Sequence, residues 1–404
     1  MTTNNTENFE ERTTRYEGTP AVTSSRISSL DVLRGFAVLM IFVVNIKMMA
    51  NGYNHYADRS LWDGPYDHLI AYVHSVFVHG KFVTIFTALF GAGLALLLAR
   101  ENPVPVLIVL KRLFWLAVFG AIHLILIREG DIVMQYALVG FFAIFFVKMQ
   151  APLLLALGFA IQIGLLVAGI IAPYEDETVP VLWKYGPEAH IEVKRIMLGT
   201  LSDQISARLD TFSYYMVDLF VFGRSWIDKL SVMLFGMALL KIGFLTGELS
   251  RKAYWQLGLV GAAMGTALIV GRLLEQPASP LGDSVVNVLW RIHRFGGALF
   301  WSALVIGLVS AGWKFSALAA AGRMAFTIYI LESVIGLLLF SSLGLGLFGH
   351  FSLGGLTIIT TLVLAFFLIA APLWLSKFRF GPLEWLWRSL SYGQRQRMLR
   401  GEAS

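Results

Sequence analysis

The chain has 404 residues, of which 57% are hydrophobic and only 14% charged, and its mean hydropathy of +0.69 is far above that of a soluble domain. No cysteine occurs, which excludes disulfides, thiolate metal sites and cysteine nucleophiles. The formal net charge of +6 comes with arginines gathered at helix ends and in the tail, a pattern of membrane orientation, whereas nucleic-acid binding needs a concentrated basic face.

Residues 1–25, MTTNNTENFEERTTRYEGTPAVTSS, are polar and lack the basic start, short apolar run and small-residue cleavage site of a signal peptide. They read as a disordered tail ahead of a first membrane helix that acts as an uncleaved signal. That helix follows at once in R-I-S-S-L-D-V-L-R-G-F-A-V-L-M-I-F-V-V-N, from Arg26 to Asn45. Asp31 and Arg34 are three apart, so carboxylate and guanidinium share a helix face and can pair. An unpartnered charge inside a span costs about 2.5–3.5 kcal/mol on insertion scales, so the pair is expected to face protein, a cavity or a ligand. Gly35 beside it removes bulk where something approaches the backbone. Arg26 reads as an orientation anchor.

With about 20 apolar residues per span, an all-α polytopic bundle of ten helices is predicted. They fall near 30–50, 81–99, 105–127, 131–148, 152–172, 229–246, 254–273, 291–311, 322–343 and 355–376, with 66–80 and 211–228 as candidate embedded extensions. The bundle thus occupies 26–376, with an external segment at 173–228 and a basic cytoplasmic tail at 377–404. Charge placement agrees with an even count. Arg100, Lys111, Arg112, Lys148, Lys241, Arg251, Lys252, Lys314, Arg323 and the tail arginines fall on the side of the N-terminus, while Asp58, Asp63, Asp67, Glu129, Asp131, Glu175 to Glu177 and Asp283 fall on the other. Both termini are therefore expected in the cytoplasm of a multi-pass membrane protein. Lys47, Arg128 and the Lys184–Arg208 group run against the trend.

The external segment contains I-E-V-K-R-I-M-L-G-T-L-S-D-Q-I-S-A-R-L, in which Ile191, Ile196 or Met197, Leu201, Ile205 and Leu209 recur at near-helical spacing. An amphipathic helix on the bilayer or over a cavity, or a plain connecting helix, fits that pattern. Glycines inside the spans read as helix-packing positions.

Polar groups inside spans mark function or buried pairing. His123 ends the third span, and Glu129, Asp131, Gln135 and Tyr136 follow across a tight turn. A histidine with a carboxylate across a hairpin has the composition of a general base with its orienting acid, and equally of a hydrogen-bonded pair joining two helices. Glu332 lies mid-span in G-R-M-A-F-T-I-Y-I-L-E, a candidate for protonation or ligand contact. Arg291, His293 and Arg294 could receive an anion or sit at the interface. His55, His68, His74 and His79 are spaced by thirteen, six and five, which matches no compact metal motif, and no metal site is expected. Neither G-x-S-x-G nor a Walker glycine pattern is present, so ATP-driven transport within this chain is not expected.

The blocks L-D-V-L-R-G-F-A-V-L-M-I-F-V-V-N, K-F-V-T-I-F-T-A-L-F-G-A-G-L, R-L-x(7)-G-A-I-H, G-D-I-V-M-Q-Y-A-L-V-G, G-R-M-A-F-T-I-Y-I-L-E and G-P-L-E-W-L-W-R-S-L run from Leu30 to Leu390. In this order they resemble the YeiB family, whose C-terminal half is called domain of unknown function 418. The position of Glu332 is commonly Gln in that family. The first block is also similar to the opening of the transmembrane acyltransferase superfamily, which includes acyltransferase family 3 and heparan-α-glucosaminide N-acetyltransferase. That similarity implies transfer of an acyl group from a cytoplasmic CoA thioester to an acceptor at the far face, with a histidine as base. Asn45 stands where the acyltransferase family 3 pattern has its His. Trp62-Asp63-Gly64 is similar to a Trp-Asn-Gly step of the lysosomal enzyme, with Arg59 at the His position and His55 a turn earlier.

Two functional readings follow. In the first, an acyltransferase-like protein uses Asp31, Arg34 and Arg323 on the donor side and His123, oriented by Asp131, as base, with His55 in reserve. Gln135, Tyr136 and Glu332 would contact substrate. Acyl-CoA is then the donor substrate, a small hydroxyl or amine compound the acceptor, membrane lipids the surroundings, and no tightly bound cofactor or nucleic acid is involved. In the second, Asp31, Arg34, Asp131 and Glu332 line the route of a transporter or of a lipid or small-molecule binding protein. The bland alternative is a scaffold whose polar groups only secure helix packing. Oligomeric state is left open.

Overall fold

The computed structural model describes residues 28–52, 64–99, 102–171, 179–184, 187–221, 223–267, 269 and 280–400. The expected tail 1–25, Arg26, His55 and Arg59 lie outside them. Among the described residues the regular structure is helical, with one isolated antiparallel bridge between Phe378 and Leu399. In chain order the helices are α1 (Ser28–Asn51), α2 (Asp67–Phe77), α3 (Lys81–Leu98), α4 (Val106–Leu126), α5 (Val133–Ala143), α6 (Ala151–Ile171), α7 (Pro187–Met197) and α8 (Leu201–Phe220). They continue with α9 (Arg224–Lys241), α10 (Arg251–Gly265), α11 (Pro280–Ser310), α12 (Ser316–Arg323), α13 (Ala325–Phe340), α14 (Leu353–Lys377) and α15 (Pro382–Tyr392).

The hub is α1, which packs against α3, α11, α12, α13 and α14. Its apolar residues from Leu30 to Val43 join the main core cluster with residues of α3, α11, α12 and α13. A Cβ on Gly35 would lie 1.9 Å from the Leu318 carbonyl oxygen, and one on Gly322 would lie 1.8 Å from that of Asp31. The two helices therefore touch backbone to backbone, and what approaches Gly35 is α12. The same device joins α3 to α9 through Gly91 and Gly236, which meet the backbones of Met233 and Ala88.

Among the described residues, six stretches are long and apolar enough to cross a membrane: Ser28–Asn51, Asp67–Leu98, Val106–Leu126, Ala151–Gly169, Val285–Ser310 and Leu353–Lys377. A seventh is the pair α12 and α13, bent by 83°. Length and apolarity thus bring the count to six or seven where ten spans were expected. The predicted span at 131–148 is the short apolar piece Val133–Phe146. Those at 229–246 and 254–273 are α9, of 18 residues with Asp228 and Lys229 near its start, and α10, of 15. A template of 20 apolar residues assumes that each span meets hydrocarbon on its own. These shorter helices instead direct polar groups to longer neighbours: Asp228 of α9 meets Gln162 of α6 and Arg291 and Arg294 of α11, and Tyr136 of α5 meets Thr87 of α3.

Side-chain and backbone contacts sort the helix ends into two faces. On one, Ser29 Oγ donates to Leu245 O at 2.8 Å, Lys241 Nζ to Val147 O and Met149 O at 2.7 and 2.6 Å, and Trp387 Nε1 to Arg112 O at 2.8 Å. On the other, the Gly349 N–H reaches Ala50 O at 2.8 Å, the Gly354 N–H reaches Asp67 Oδ1 at 3.1 Å, and Ser342 Oγ donates to Gly199 O at 2.5 Å. Outward, α14 presents Ile358, Leu362, Phe366, Ile369 and Leu373, and α6 presents Phe159, Ile163 and Val167, all exposed. Apolar stripes of this length demand an apolar surrounding.

The external segment departs from the single amphipathic helix. Thr200 and Asp203 form a capping box that starts α8 afresh after α7 ends at Met197. Leu201 and Leu209 are exposed, and the buried face of α8 mixes Ala207 and Tyr215 with the polar Gln204, Arg208, Thr211 and Asp218. Arg208 donates to Leu126 O at 3.1 Å, so α8 lies over the α4–α5 hairpin. The tip of that hairpin, expected as an outer loop, is buried at Arg128, Glu129 and Asp131.

Candidate functional site

Between α1, α3, α4, α5, the α12–α13 bend and the α14–α15 junction lies a cavity of about 380 Å³. Its lining includes Asp31, Arg34, Tyr136 and Arg323 of the sequence-predicted residues. Most of the wall is apolar, with Phe86, Phe90, Leu116, Phe326 and Trp387 among its members. Five arginines line it, Arg34, Arg112, Arg323, Arg379 and Arg388, against two acids, Asp31 and Glu384.

The two acids are already engaged. Asp31 accepts from Arg34 Nη1 at 3.1 Å. Glu384 accepts the Phe326 and Thr327 N–H groups at 2.8 and 3.0 Å and the Thr327 hydroxyl at 2.5 Å, capping the start of α13. Burial pushes the Glu384 carboxyl up, and those hydrogen bonds work against the shift. Arg112 lies 4.3 Å over the Trp387 ring and Arg388 lies 4.6 Å over that of Phe380, so aromatic faces hold both guanidinium planes in place. The surplus of positive charge at helix ends over an apolar body suits a ligand with an anionic head and an apolar arm.

At the deep end stand two tyrosines. Tyr136 donates to Val83 O at 3.2 Å and lies 2.7 Å from Thr87 Oγ1. Tyr329 donates to Gly130 O at 3.2 Å and accepts the Ile132 N–H at 3.3 Å, which ties it to the α4–α5 turn. Behind Tyr329, its ring centroid 5.1 Å from that of the imidazole, is His123. His123 Nδ1 lies 2.9 Å from Asp131 Oδ1, and both side chains are sealed from solvent, at 1% and 0% exposure. Asp131 Oδ2 also accepts the Met134 N–H at 2.6 Å. A carboxylate can only accept, so Nδ1 carries the hydrogen and the neutral imidazole presents its lone pair at Nε2. That Nε2 has no hydrogen-bond partner among the described residues. Neither His123 nor Asp131 is in the cavity lining; Tyr329 is. Gln135 is also outside it, its amide donating to Asp131 O at 3.0 Å.

Glu332, one turn beyond Tyr329 on α13, is buried at 2% exposure, and neither carboxylate oxygen meets a donor among the described residues. It interacts electrostatically with Arg128. Arg128 donates through Nη2 to Asn45 Oδ1 at 3.1 Å, while Nε and Nη1 have no acceptor. Sequence reasoning passed over Arg128 as a site residue, although the signal was there: a cation on the wrong side for orientation. Lys47 and Arg208, on the same exceptions, are likewise buried. Arg112, Arg379 and Arg388 were taken for orientation charges alone, and only the packing of α15 against α4 brings them together.

The arginines of the Arg291, His293 and Arg294 group receive an internal anion. Arg294 holds Asp228 of α9 through bonds of 2.9 and 2.7 Å and Arg291 reaches it at 3.3 Å. His293 Nδ1 contacts Gly265 O at 2.5 Å and Nε2 contacts Lys81 Nζ.

An all-helical chain with this set of long apolar helices is similar along nearly its whole length to several bacterial proteins. Residues 239–394 match the family described as "Protein of unknown function (DUF418)". The uncharacterized protein YxaH of Bacillus subtilis (strain 168) is 30% identical over 92% of this chain and 96% of its own length. The uncharacterized protein YeiB of Escherichia coli (strain K12) is 31% identical over 90% and 95%. An uncharacterized 39.9 kDa protein in the amylase 3' region of Bacillus acidopullulyticus is 27% identical over 93% and 96%. The chain belongs to the YeiB family.

Proposed function

We propose that the chain crosses the bacterial inner membrane ten times with both termini in the cytoplasm, and that it moves an acyl group from cytoplasmic acyl-CoA to an acceptor bound deeper in the protein. The exposed apolar stripes of α6 and α14 support a membrane surrounding. Ten passes, four of them short or polar and sheltered by their neighbours, agree with the sorting of helix ends into two faces and with the cationic character of the face that holds Lys241, Lys314 and the tail.

The observation behind the acyl-transfer reading is the arginine-mouthed apolar cavity whose deep wall, Tyr329, has His123 and Asp131 on its other side. Arginine forks suit the phosphates of a CoA head, and the apolar body suits the acyl end. In the transfer, His123 Nε2 takes the proton from an acceptor hydroxyl or amine, whose oxygen or nitrogen bonds to the thioester carbonyl carbon. The carbon–sulfur bond breaks, its electron pair leaves on sulfur, and the proton on His123 goes to the thiolate. Purified protein given labelled acetyl-CoA and a membrane extract as acceptor source is expected to transfer label, at least a hundredfold slower in His123→Ala. Equal transfer by both proteins removes His123 from the mechanism.

The closure of the cavity by Tyr329 favours a second reading, in which the protein binds an anionic amphiphile without turning it over. Saturable acetyl-CoA binding lost in Arg323→Gln, with no transfer under any condition, selects this reading.

A further inference from the structure

Behind Tyr329, three side chains hold unused hydrogen-bonding capacity of opposite kinds. His123, Arg128 and Glu332 are 1%, 3% and 2% exposed. Among the described residues, Arg128 has Nε and Nη1 without acceptors, Glu332 has both oxygens without donors, and His123 has Nε2 without a partner. His123 is in the last turn of α4, Arg128 is in the α4–α5 turn and Glu332 is on α13, and Tyr329 ties that turn to α13. Arg128 and Glu332 act on each other electrostatically, yet Glu332 accepts no hydrogen bond from the guanidinium. Asn45 holds the remaining Nη2 of Arg128 at 3.1 Å, and the Asp131 bond at 2.9 Å keeps the lone pair of His123 at Nε2. A buried donor or acceptor left unmatched costs a good part of its hydration, and a buried charge costs more. A guest that satisfies all three brings an anion to Arg128, a cationic hydrogen donor to Glu332, and a proton within reach of His123.

We infer that Arg128, Glu332 and His123 form a binding site for a small zwitterion, its ammonium toward Glu332 and its carboxylate or phosphate toward Arg128. Such a guest adds no net charge to the interior, which is the condition for burying it beside one guanidinium and one carboxylate. Two sources share this chemistry, a free amino acid and the head of an ethanolamine lipid. As a binding site this rests on the unpartnered buried atoms of the three side chains; as the acceptor site it rests on the acyl-transfer reading. In that role the amine loses one proton to Glu332 and the next to His123 as its nitrogen bonds to the thioester carbon. The carbon–sulfur bond breaks, and CoA leaves as a thiolate that takes the His123 proton. The product is an amide.

The test uses the full chain in detergent, with thermal midpoint and equilibrium dialysis as readouts. The probes are glycine, L-serine, glycerophosphoethanolamine and, in nanodiscs, phosphatidylethanolamine against phosphatidylglycerol. At least one zwitterion is expected to bind saturably to the wild type and at least tenfold more weakly to Glu332→Gln, which keeps the side-chain shape, and to Arg128→Lys. The amino acids and the nanodisc arm separate the two sources. Acetyl-CoA binding to the wild type is measured in parallel. Zwitterion binding without acetyl-CoA binding upholds the site and removes the donor reading. No binding of any zwitterion to the wild type, or equal binding by wild type and both variants, overturns the inference.

Discussion

Asp131 serves two helices at once. One carboxylate oxygen holds His123 on α4 and the other takes the Met134 N–H at the start of α5, so a single side chain fixes both the hairpin and the imidazole tautomer. In Asp131→Asn the amide can donate to Nδ1, which turns the lone pair away from Nε2. Acyl transfer is then expected to fall by about a hundredfold or more, while the protein remains folded and binds acetyl-CoA as before. Label transfer at the wild-type rate in this variant contradicts the assigned tautomer. Residue types at this scale were readable in advance, since the pairing of His123 with Asp131 needs only a tight turn. The loss of Glu129 and Asp131 from the surface was not, because it depends on α8 crossing above them.

The break between α12 and α13 is what opens the cavity. Gly322 lets α12 run onto the backbone of α1, and the chain then turns by 83° into α13. The first amides of α13 have no partner in their own helix, and Glu384 of α15 supplies one from 57 and 58 residues away in sequence. Because burial raises the Glu384 carboxyl above its usual range, the folded chain holds its proton more tightly than the unfolded chain. Its contribution to stability is full below the ordinary carboxylate pKa and is lost as pH rises through the raised folded value. The stability advantage of wild type over Glu384→Gln is therefore expected to shrink as pH is raised above the ordinary glutamate pKa of about 4.3, read as the difference in thermal midpoint. An advantage that grows with pH shows that the hydrogen bonds outweigh burial.

For the whole molecule the decisive arrangement is two faces with the hub helix α1 between them. The chain has no cysteine, so single substitutions report the faces cleanly. In intact cells a membrane-impermeant maleimide is expected to label Leu345→Cys, which is exposed between α13 and α14, and to spare Lys314→Cys between α11 and α12. Labelling of both, or of Lys314→Cys alone, contradicts the proposed ten-pass orientation.

By itself the sequence determined the helical character, the family and the position of the hub, because runs of apolar residues, a charge pair three apart and ordered motif blocks are local features. Length and apolarity by themselves mark six or seven spans among the described residues, because α5, α9 and α10 are short or carry polar groups that neighbouring helices shelter. The cavity and its arginines were decided by tertiary structure. Arg34, Arg112, Arg323, Arg379 and Arg388 lie on different elements, and no one-dimensional period relates residues that meet only when α15 packs back on α4 and α12 folds onto α1. The same holds for Arg128 and Glu332, whose significance is a match of unfilled hydrogen bonds across space.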